Sequence, residues 1–360
     1  MPSLFDPIRI GAIEAPNRIF MAPLTRARAT RDHVPTPIMV EYYTQRASAG
    51  LIISEATGIS QEGLGWPYAP GLWNREQVEA WKPVTKAVHE HGGRIVAQLW
   101  HMGRMVHSSV TGLQPVAPSA IAAPGYSHTY EGKVPYETPR PLVENDFPRI
   151  LNDYERAAQH AMEAGFDGIQ LHAANGYLID EFLRDGPNHR TDGYGGSPEN
   201  RMRFLTEVVD RLTATIGADR TAVRLSPNGD SQGSIDSDPA SIFVPAARYL
   251  DSKGIAFLEL RELGPNDTFG STDQPKLSPE IRKVFHGSLV LNQEYTRGAA
   301  IEAVADGHAD AIAFGRKFIS NPDLVERLRR DLPLAPDVMK TWYSRGAEGY
   351  TDYPSASAAD

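Results

Sequence analysis

The sequence predicts an α/β fold, a single (β/α)8 TIM barrel formed by the whole of residues 1–360. Eight short apolar runs alternate with segments of helical period, and most runs are apolar throughout, which is typical of parallel strands buried on both faces. These runs are 18–24, 50–57, 94–100, 168–173, 221–227, 255–260, 288–293 and 311–316. A doubly wound open sheet is the alternative, but no G-x-G-x-x-G fingerprint follows the first run, which disfavours that fold.

The segments between the apolar runs have the pattern of helices. Helices are predicted at 74–91, 146–164, 198–216, 239–252, 295–306 and 321–330. Ser197 stands before Pro198, and Asn321 stands before Pro322. A capping residue followed by proline is typical of a helix start, so both pairs predict that a helix begins there.

Residues 101–145 interrupt the alternation. They are rich in Pro, Gly and Ser, and they include Tyr126, Tyr130 and Tyr136. A connection of this length within a compact domain is usually functional or disordered. Because it follows the third predicted strand, we expect the segment to lie over the carboxyl-terminal face of the barrel as a partial lid.

Composition excludes several classes of partner and site. Hydrophobic residues make up 41% of the chain and charged residues 22%, as in ordinary globular proteins. The formal net charge of −9 argues against a nucleic-acid partner, which favours a basic surface. The absence of cysteine excludes disulfides, thiolate metal sites and cysteine nucleophiles.

Other motifs that carry chemistry or targeting are also missing from the sequence. There is no HExxH pattern, and His89 and His91 lie at a predicted helix end, where imidazole favours the last carbonyls. We therefore predict no metal site. No apolar run reaches membrane-spanning length, and the first residues lack the pattern of a secretory signal, so we expect a cytoplasmic protein without a membrane partner.

Polar side chains follow several of the predicted strands, where a barrel assembles its active site. They are Thr25, Gln98, Trp100, His172, Asn175, Tyr177, Arg224, Gly315 and Arg316. His172 and Asn175 can both donate a hydrogen bond to one carbonyl or nitro oxygen, which polarises an electron-poor double bond. Tyr177 can supply a proton to the adjacent carbon. The alternative is that His172 caps the strand end and Tyr177 packs under the next helix.

The other polar residues also allow two interpretations each. Arg224 lies on a buried strand and needs an anionic partner, either a structural carboxylate or a bound cofactor. The buried amide of Gln98 needs partners, and the edge of a heterocycle is one option. Gly315 and Arg316 follow the eighth strand, where barrels often bind phosphate, but a surface arginine in a turn is equally consistent. The Thr25 hydroxyl can form a hydrogen bond within a turn and have no further role.

Longer stretches resemble the Old Yellow Enzyme family of FMN-dependent ene-reductases. They are LFDPIRIG, NRIFMAPLTRARA, AQLWHMGR, GIQLHAANGYLIDEFLRDGPNHRTDGYGGSPENRMRF, AFGRKFISNPDLVERL and YSRGAEGYTDYP. The resemblance implies a (β/α)8 barrel closed at its bottom by an amino-terminal β-hairpin, which the stretch RIGAIEAPNRI at 9–19 fits. It implies FMN at the carboxyl-terminal mouth. Thr25 stands where another branch has Cys, which places the chain on the classical branch.

The resemblance also implies a role for each matching residue. The residues it places against FMN are Pro23, Leu24, Thr25, Ala56, Gln98, Arg224, Asn292, Gln293, Gly315 and Arg316. It makes His172 and Asn175 the holders of the substrate's activating oxygen and Tyr177 the proton donor. The residues it places around the substrate are Trp66, Trp100 and Tyr343.

Two positions depart from the family pattern. The loop at 291–296 lacks the usual pair of glycines, so Asn292 and Gln293 would offer backbone N–H groups to phosphate without glycine's freedom. Trp66 stands where a smaller aromatic residue is common, and its bulk, together with Trp100, would narrow the pocket. We expect the segments 101–145 and 262–275 to shape the same pocket.

The implied reaction has two steps. NADPH, or NADH, reduces FMN and leaves; an α,β-unsaturated aldehyde, ketone, imide or nitroalkene then takes hydride from FMN N5 and a proton from Tyr177. A nitroester or nitroaromatic reductase is the near alternative. A non-flavin barrel hydrolase or aldolase, using His172 and Tyr177 as acid and base, is more remote, and a flavin-storage protein is a third possibility. The family contains both monomers and homodimers.

Overall fold

In the computed structural model, which describes residues 1–268 and 270–356, eight parallel strands close into a barrel. In chain order they are Ile19–Met21, Leu51–Ile53, Ile95–Trp100, Gly168–Ala173, Thr221–Leu225, Leu258–Arg261, Leu289–Asn292 and Ala311–Phe314. Each pairs with the next, and the eighth pairs with the first, where Phe314 stands beside Met21. The predicted barrel is confirmed. Phe269, in the segment 262–275, and residues 357–360 lie outside the described residues.

Helices cover the outside of the barrel. The longer ones are Pro37–Gln45, Arg75–Glu90, Asp146–Glu163, Pro198–Ile216, Pro239–Lys253, Arg297–Ala305 and Leu324–Arg330. Short helices are Ser108–Thr111, Leu178–Leu183, Ser278–Arg282 and Arg316–Ser320, and 3-10 turns are Gly103–Met105, Ala218–Arg220 and Met339–Thr341. The six predicted helices are all present. In the part of the chain that the structure describes, no helix is long and apolar enough to cross a membrane.

The two predicted helix starts have different outcomes. Ser197 is a true cap, because its side chain accepts a hydrogen bond from the backbone N–H of Asn200 at 3.3 Å. The prediction for Asn321 is wrong, since the last helix begins at Leu324. The Asn321 amide instead accepts from the backbone N–H of Ala335 and donates to the carbonyl of Lys317, both at 2.8 Å, so it closes a loop.

The side chains of each barrel strand form two rows, because successive residues point to opposite faces. On the fourth strand, Ile169 and Leu171 pack with the helices in the main apolar core. Gln170, between them, hydrogen-bonds inside the barrel. The lower interior is apolar and contains Phe20, Leu51, Ile53, Val96, Ala222, Phe257, Val290, Ala311 and Ala313.

The predicted amino-terminal hairpin is confirmed. Ile8–Ile10 and Ile13–Ala15 pair antiparallel, and Ile10 and Ile13 pack into the lower interior of the barrel. The hairpin turns at Gly11, which has a φ of +57°. A Cβ at this position would collide with the carbonyl of Asp219, so only glycine fits this close approach.

The segment 101–145 carries structure of its own. Val116–Ala117 pairs with Arg140–Pro141, and Tyr126–Thr129 forms a hairpin with Gly132–Pro135. This second hairpin packs against loops that follow the first two barrel strands. The His128 ring lies 4.7 Å from the Trp66 ring, and the Tyr130 hydroxyl donates to the carbonyl of Arg31 at 3.1 Å.

Candidate active site

The end of the fourth strand presents three functional side chains within six residues. His172 is on the inward row, and the chain then turns through Asn175 and Gly176, which have φ angles of +60° and +78°. A Cβ at Gly176 would collide with the carbonyl of Ser231. The backbone N–H of Asn175 donates to the Ser226 hydroxyl at 2.8 Å. These contacts hold the turn that places Asn175 and Tyr177 beside His172.

Three rings pack together at this strand end. The imidazole of His172 stacks on the indole of Trp100, with centroids 6.2 Å apart, and the Tyr177 ring meets each of them edge-on at 4.9 Å. Within residues 1–268 and 270–356, neither Nδ1 of His172 nor Nε1 of Trp100 has a hydrogen-bond partner. Buried polar nitrogens are normally paired, so this position is suited to a ligand that completes their hydrogen bonding.

The two titratable groups of the strand-four end are both neutral around pH 7. Burial lowers the pKa of His172 well below 6.5, and the nearby charges of Arg224 and Arg261 lower it further. Burial likewise raises the pKa of Tyr177 above 10, with smaller contributions from Tyr136 and Tyr343. The site therefore offers a neutral imidazole and a protonated phenol, both of which can donate hydrogen bonds.

A buried chain of polar side chains runs across the middle of the barrel. Gln98 donates through Nε2 to Gln170 at 2.8 Å, and Gln170 donates to Glu259 at 2.6 Å. Arg224 donates to the other oxygen of Glu259 at 3.0 Å and to Oδ1 of Asn292 at 3.1 Å. Both Gln98 and Arg224 are thus held in one orientation. The sequence allowed two anionic partners for Arg224, a structural carboxylate or a bound cofactor, and the structure shows the carboxylate, which is Glu259.

Gln170 and Glu259 are functional candidates that the sequence analysis missed. They lie inside the runs GIQLHA and IAFLEL, which we interpreted as buried strands of a mostly apolar set. A polar residue in such a run is itself a signal, because it needs a buried partner.

The loops after the first and second strands border the mouth. Pro23, Leu24 and Thr25 are half-buried, and Ala56 is buried. Glu55 joins the two loops, because its carboxylate accepts from the backbone N–H of Arg26 at 3.3 Å and from the Tyr43 hydroxyl at 3.2 Å. Burial raises the pKa of Glu55 to about 7. Thr25 and Ala56, the neighbours of Arg26 and Glu55, are thereby held on adjacent loops.

The loops after the seventh and eighth strands contain the residues predicted to bind phosphate. Gly315 approaches Leu24 so closely that a Cβ would lie 3.3 Å from Leu24 Cδ2. The Arg316 guanidinium makes two hydrogen bonds to Asp337, at 3.0 and 3.2 Å, and lies 3.5 Å from Glu294. A phosphate would share this guanidinium with both carboxylates. The ammonium of Lys317 donates to a carbonyl of the same region.

Asn292 and Gln293 have different conformations and partners. The Asn292 amide makes its hydrogen bonds inside the barrel. Its oxygen accepts from Arg224, and its nitrogen donates to the carbonyl of Ala313 at 2.7 Å. Its side-chain oxygen and one N–H of its NH2 group are therefore occupied inside the barrel. Gln293 has a φ of +111°, so it adopts a backbone conformation that favours glycine.

The wall above the strand-four end is aromatic. Trp66 and Tyr343 lie 5.1 Å apart, and His128 of the second hairpin packs on Trp66. Tyr136 is half-buried against the cluster that contains Trp100. The predicted pocket residues Trp66 and Tyr343 are thus brought together, whereas Trp100 lies deeper, beside His172. The sequence analysis missed His128, which follows no periodic pattern.

Arg261 is a further residue that the sequence analysis missed. It is the last residue of the sixth strand, one position beyond the predicted run 255–260. Its guanidinium reaches Asn175 and Gln293. Among the residues that the structure describes, no group of three or more His, Asp or Glu side chains could hold a metal ion.

Comparison with solved structures shows close relatives over the whole barrel. The Old Yellow Enzyme homologue NCR from Zymomonas mobilis is 66% identical, with a TM-score of 0.97, and the match covers 98% of this chain and 99% of that chain. Morphinone reductase is 44% identical, with a TM-score of 0.95, over 99% of this chain and 97% of that chain.

Comparison with curated proteins and with family models agrees. The 12-oxophytodienoate reductase 7 of Oryza sativa subsp. japonica is 42% identical, over 98% of this chain and 94% of the relative. The 12-oxophytodienoate reductase 2 of Arabidopsis thaliana is 40% identical, over 98% and 95%. Residues 3–335 match the model of the NADH:flavin oxidoreductase / NADH oxidase family. The chain therefore belongs to this family, and its resemblance to Old Yellow Enzyme is confirmed.

Proposed function

We propose that the protein reduces activated C=C bonds in α,β-unsaturated aldehydes, ketones, imides and nitroalkenes, with NADPH or NADH as the reductant. The observation that carries the proposal is the strand-four end, where two neutral donors, His172 and Asn175, stand beside the acid Tyr177. Relatives named as reductases support it, and one solved morphinone reductase is in complex with tetrahydroNAD.

FMN is the flavin of this family, and the residues present fit it. The half-buried residues Pro23, Leu24 and Thr25 offer a platform at the mouth, and Gly315 allows close approach. The buried indole nitrogen of Trp100, beside His172, has no hydrogen-bond partner among the described residues. We propose that FMN is held by Pro23, Leu24, Thr25, Ala56, Gln98, Arg224, Asn292, Gln293, Gly315 and Arg316. When bound, FMN supplies the redox chemistry, taking two electrons from the nicotinamide and passing hydride to the alkene.

His172 and Asn175 form the oxygen clamp, our name for these two residues acting on one substrate oxygen. The carbonyl or nitro oxygen accepts a hydrogen bond from each of them. Negative charge builds on that oxygen as the double bond is reduced, so both hydrogen bonds strengthen in the transition state. The neutral state of His172 suits this role, because burial holds its pKa well below 6.5 and a donor is needed rather than an ion.

Tyr177 is the proton donor in this proposal. Its ring is fixed edge-on against His172 and Trp100, so its hydroxyl has a defined position beside the clamped substrate. Its raised pKa keeps the hydroxyl protonated until it gives the proton to the α-carbon. Trp66 and Tyr343 close the pocket from above, and Trp100 closes it from beside the clamp.

A nitroester or nitroaromatic reductase is the second candidate. The oxygen clamp fits a nitro oxygen as well as a carbonyl oxygen, and reduction of the nitro group itself does not need a proton at carbon. The candidates therefore differ in their need for Tyr177. A non-flavin hydrolase or aldolase is overturned by the family match.

We further propose that residues 1–360 act as one FMN-binding unit and that the segment 101–145 shapes the pocket through His128 and Tyr136. The classical branch, the choice of NADPH over NADH, the cytoplasmic location, and the choice between monomer and homodimer stay predictions.

One anaerobic experiment tests the proposal. The absorption spectrum of the purified protein is recorded, NADPH is added, and cyclohex-2-enone follows in the same cuvette. We expect flavin bands that bleach with NADPH and return with the enone. Bands that stay bleached would favour the nitro substrates. A protein that retains no flavin bands after it is incubated with FMN and the unbound FMN is removed would contradict the cofactor and the proposal together.

A further inference from the structure

Arg261 links the strand-four end to the loop after the seventh strand. It follows Phe257 and Glu259 on the inward row of the sixth strand, and it stands beside Asn292 in register. Its Nη1 donates to Oδ1 of Asn175 at 3.1 Å, and its Nε donates to Oε1 of Gln293 at 3.2 Å. One guanidinium thus binds two amide oxygens that come from opposite sides of the mouth.

The chemistry of this contact decides which way the Asn175 amide faces. The two ends of an asparagine amide are nearly identical in shape, so only hydrogen bonding fixes the orientation. A guanidinium has five N–H donors and no acceptor, so it can pair only with the oxygen end. The NH2 end of Asn175 therefore faces away from Arg261, and the NH2 end is the one that a clamp for a substrate oxygen needs.

The two residues that the guanidinium bridges, Asn175 and Gln293, both have unusual backbone conformations. Asn175 already sits in a left-handed turn, and its backbone N–H is tied to Ser226. The side chain of Gln293, whose backbone also has a positive φ, is anchored by Arg261 from the other side. Burial beside Arg224 lowers the pKa of Arg261 only to about 10, so the guanidinium keeps its charge at pH 7.

We propose that Arg261 is a positioning residue that orients the Asn175 amide, so that the oxygen clamp presents a donor rather than an acceptor to the substrate. The inference rests on the proposed function, because it assigns a purpose to the NH2 end of Asn175. Arg261 does not touch the substrate oxygen in this scheme. It acts through Asn175, and its effect should disappear when Asn175 is removed.

Ligand binding tests the proposal without turnover. The FMN-loaded protein is titrated with 4-chlorophenol by calorimetry at pH 6, where the free phenol is neutral, and its oxygen stands for the substrate oxygen. Arg261→Met removes the donors, and we expect the Kd to rise about fivefold to thirtyfold. Arg261→Lys keeps a charged donor without the planar fork, so it should recover part of the affinity.

Variants of Asn175 separate the inference from the proposed function. Asn175→Ala removes the amide, and Asn175→Asp keeps an acceptor for Arg261 but loses the NH2 donor. Both should bind the phenol about as weakly as Arg261→Met does. In the Asn175→Ala background, adding Arg261→Met should change the Kd by less than about threefold, because its target is already gone.

Three outcomes would overturn one claim or the other. Wild-type binding by both Asn175 variants would contradict the oxygen clamp, and with it the proposed function. Weak binding by the Asn175 variants but wild-type binding by Arg261→Met and Arg261→Lys would overturn only the role of Arg261. An equal loss from Arg261→Met in both backgrounds would show a general structural role. If Arg261→Met does not fold, Arg261→Lys and Arg261→Gln are compared in the same two backgrounds.

Discussion

The two ends of the barrel interior are built from the same inward rows but carry different residues. On the sixth strand the row reads Phe257, Glu259 and Arg261 from the bottom to the mouth. At the bottom, Phe257 packs edge-on against Phe20 at 6.3 Å, above the amino-terminal hairpin. At the mouth, Arg261 binds the amide of Asn175.

The fourth strand has the same gradient, from Gly168 through Gln170 to His172. The outward row of this strand, by contrast, stays apolar along its whole length, because helices cover it. Burying polar groups costs free energy, so their confinement to one end separates two tasks. The bottom of the barrel contributes apolar packing, which offsets the free-energy cost of the buried polar groups at the mouth. The polar groups at the mouth provide the chemistry.

The largest expected effect lies at the mouth. Tyr177→Phe should slow reduction of the alkene about 10²-fold to 10⁴-fold, because the proposed proton donor is removed. Reduction of the flavin by NADPH should stay near the wild-type rate, since that step needs no proton from Tyr177. Rapid mixing of each half-reaction measures both rates. Tyr136→Phe removes a hydroxyl from the same aromatic cluster and is the matched control. Equal losses in the two half-reactions would contradict the role.

Removal of Glu259 tests the middle of the row. Glu259→Ala should lower the free energy of unfolding by about 3–5 kcal/mol, because Arg224 is left buried without its carboxylate. Urea denaturation at a fixed excess of FMN measures the change. Glu163→Ala breaks an exposed ion pair with Arg75 and should cost at most about 1 kcal/mol. Similar costs for the two variants would show that the buried network does not depend on its charge.

Phe257→Ala tests the bottom of the same row. The cavity should lower the free energy of unfolding by about 3–5 kcal/mol. Because the oxygen clamp lies at the other end of the barrel, the Kd for 4-chlorophenol in the folded protein should stay within about twofold of wild type. Denaturation and calorimetry are compared on one preparation. A large loss of phenol affinity in a fully folded variant would show that the two ends are not separate.

A substitution in the aromatic wall of the pocket should have a smaller effect on the reaction. Trp66→Phe enlarges the space between Tyr343 and His128, so a bulky enone gains a second way to lie over the site. We expect the enantiomeric ratio to change about twofold to tenfold, with little change in the rate. Chiral chromatography of the products from several substrates measures it. An unchanged ratio for Trp66→Phe and for Trp100→Phe would make both indoles structural.

The smallest expected effect is that of pH on the rate of alkene reduction. His172 has a pKa lowered below 6.5 and Tyr177 has a pKa raised above 10, so neither group titrates between these values. Titration of these two groups should therefore change the rate constant for alkene reduction by the pre-reduced protein less than about twofold over this range. Glu55, whose pKa is raised to about 7, also titrates here, so the profile is compared with that of Glu55→Gln. A fall on the acid side that persists in Glu55→Gln would show that His172 gains a proton. A fall on the basic side before 10 would show that Tyr177 loses one.

The barrel and the strand-four end could be predicted from the sequence because the patterns that indicate them are local in the chain. The run 168–173 ends in His172 and is followed by Asn175, Gly176 and Tyr177, so the strand, its turn and its polar side chains are adjacent in the chain. Strand order then follows from the alternation with helices. The resemblance added a role for each residue, and the structure shows that the strand-four residues do lie together.

Features that depend on register or on distant partners could not be predicted in the same way. Which residues face inward is set by the pairing of neighbouring strands, and this placed Gln170 beside Gln98 and joined it to Glu259. Asn321 had the pattern of a helix cap, but its side chain instead accepts a hydrogen bond from the backbone N–H of Ala335, in a later loop. Arg261 reaches across the mouth to Asn175, a contact between residues 86 positions apart.

The central claim is that the strand-four end holds a substrate oxygen, and a crystal structure with FMN and 4-chlorophenol tests it most directly. We predict that the phenol oxygen lies about 2.7–3.1 Å from a ring nitrogen of His172 and from the amide nitrogen of Asn175. The Asn175 oxygen should still face Arg261. A phenol whose oxygen points away from both residues would contradict the account.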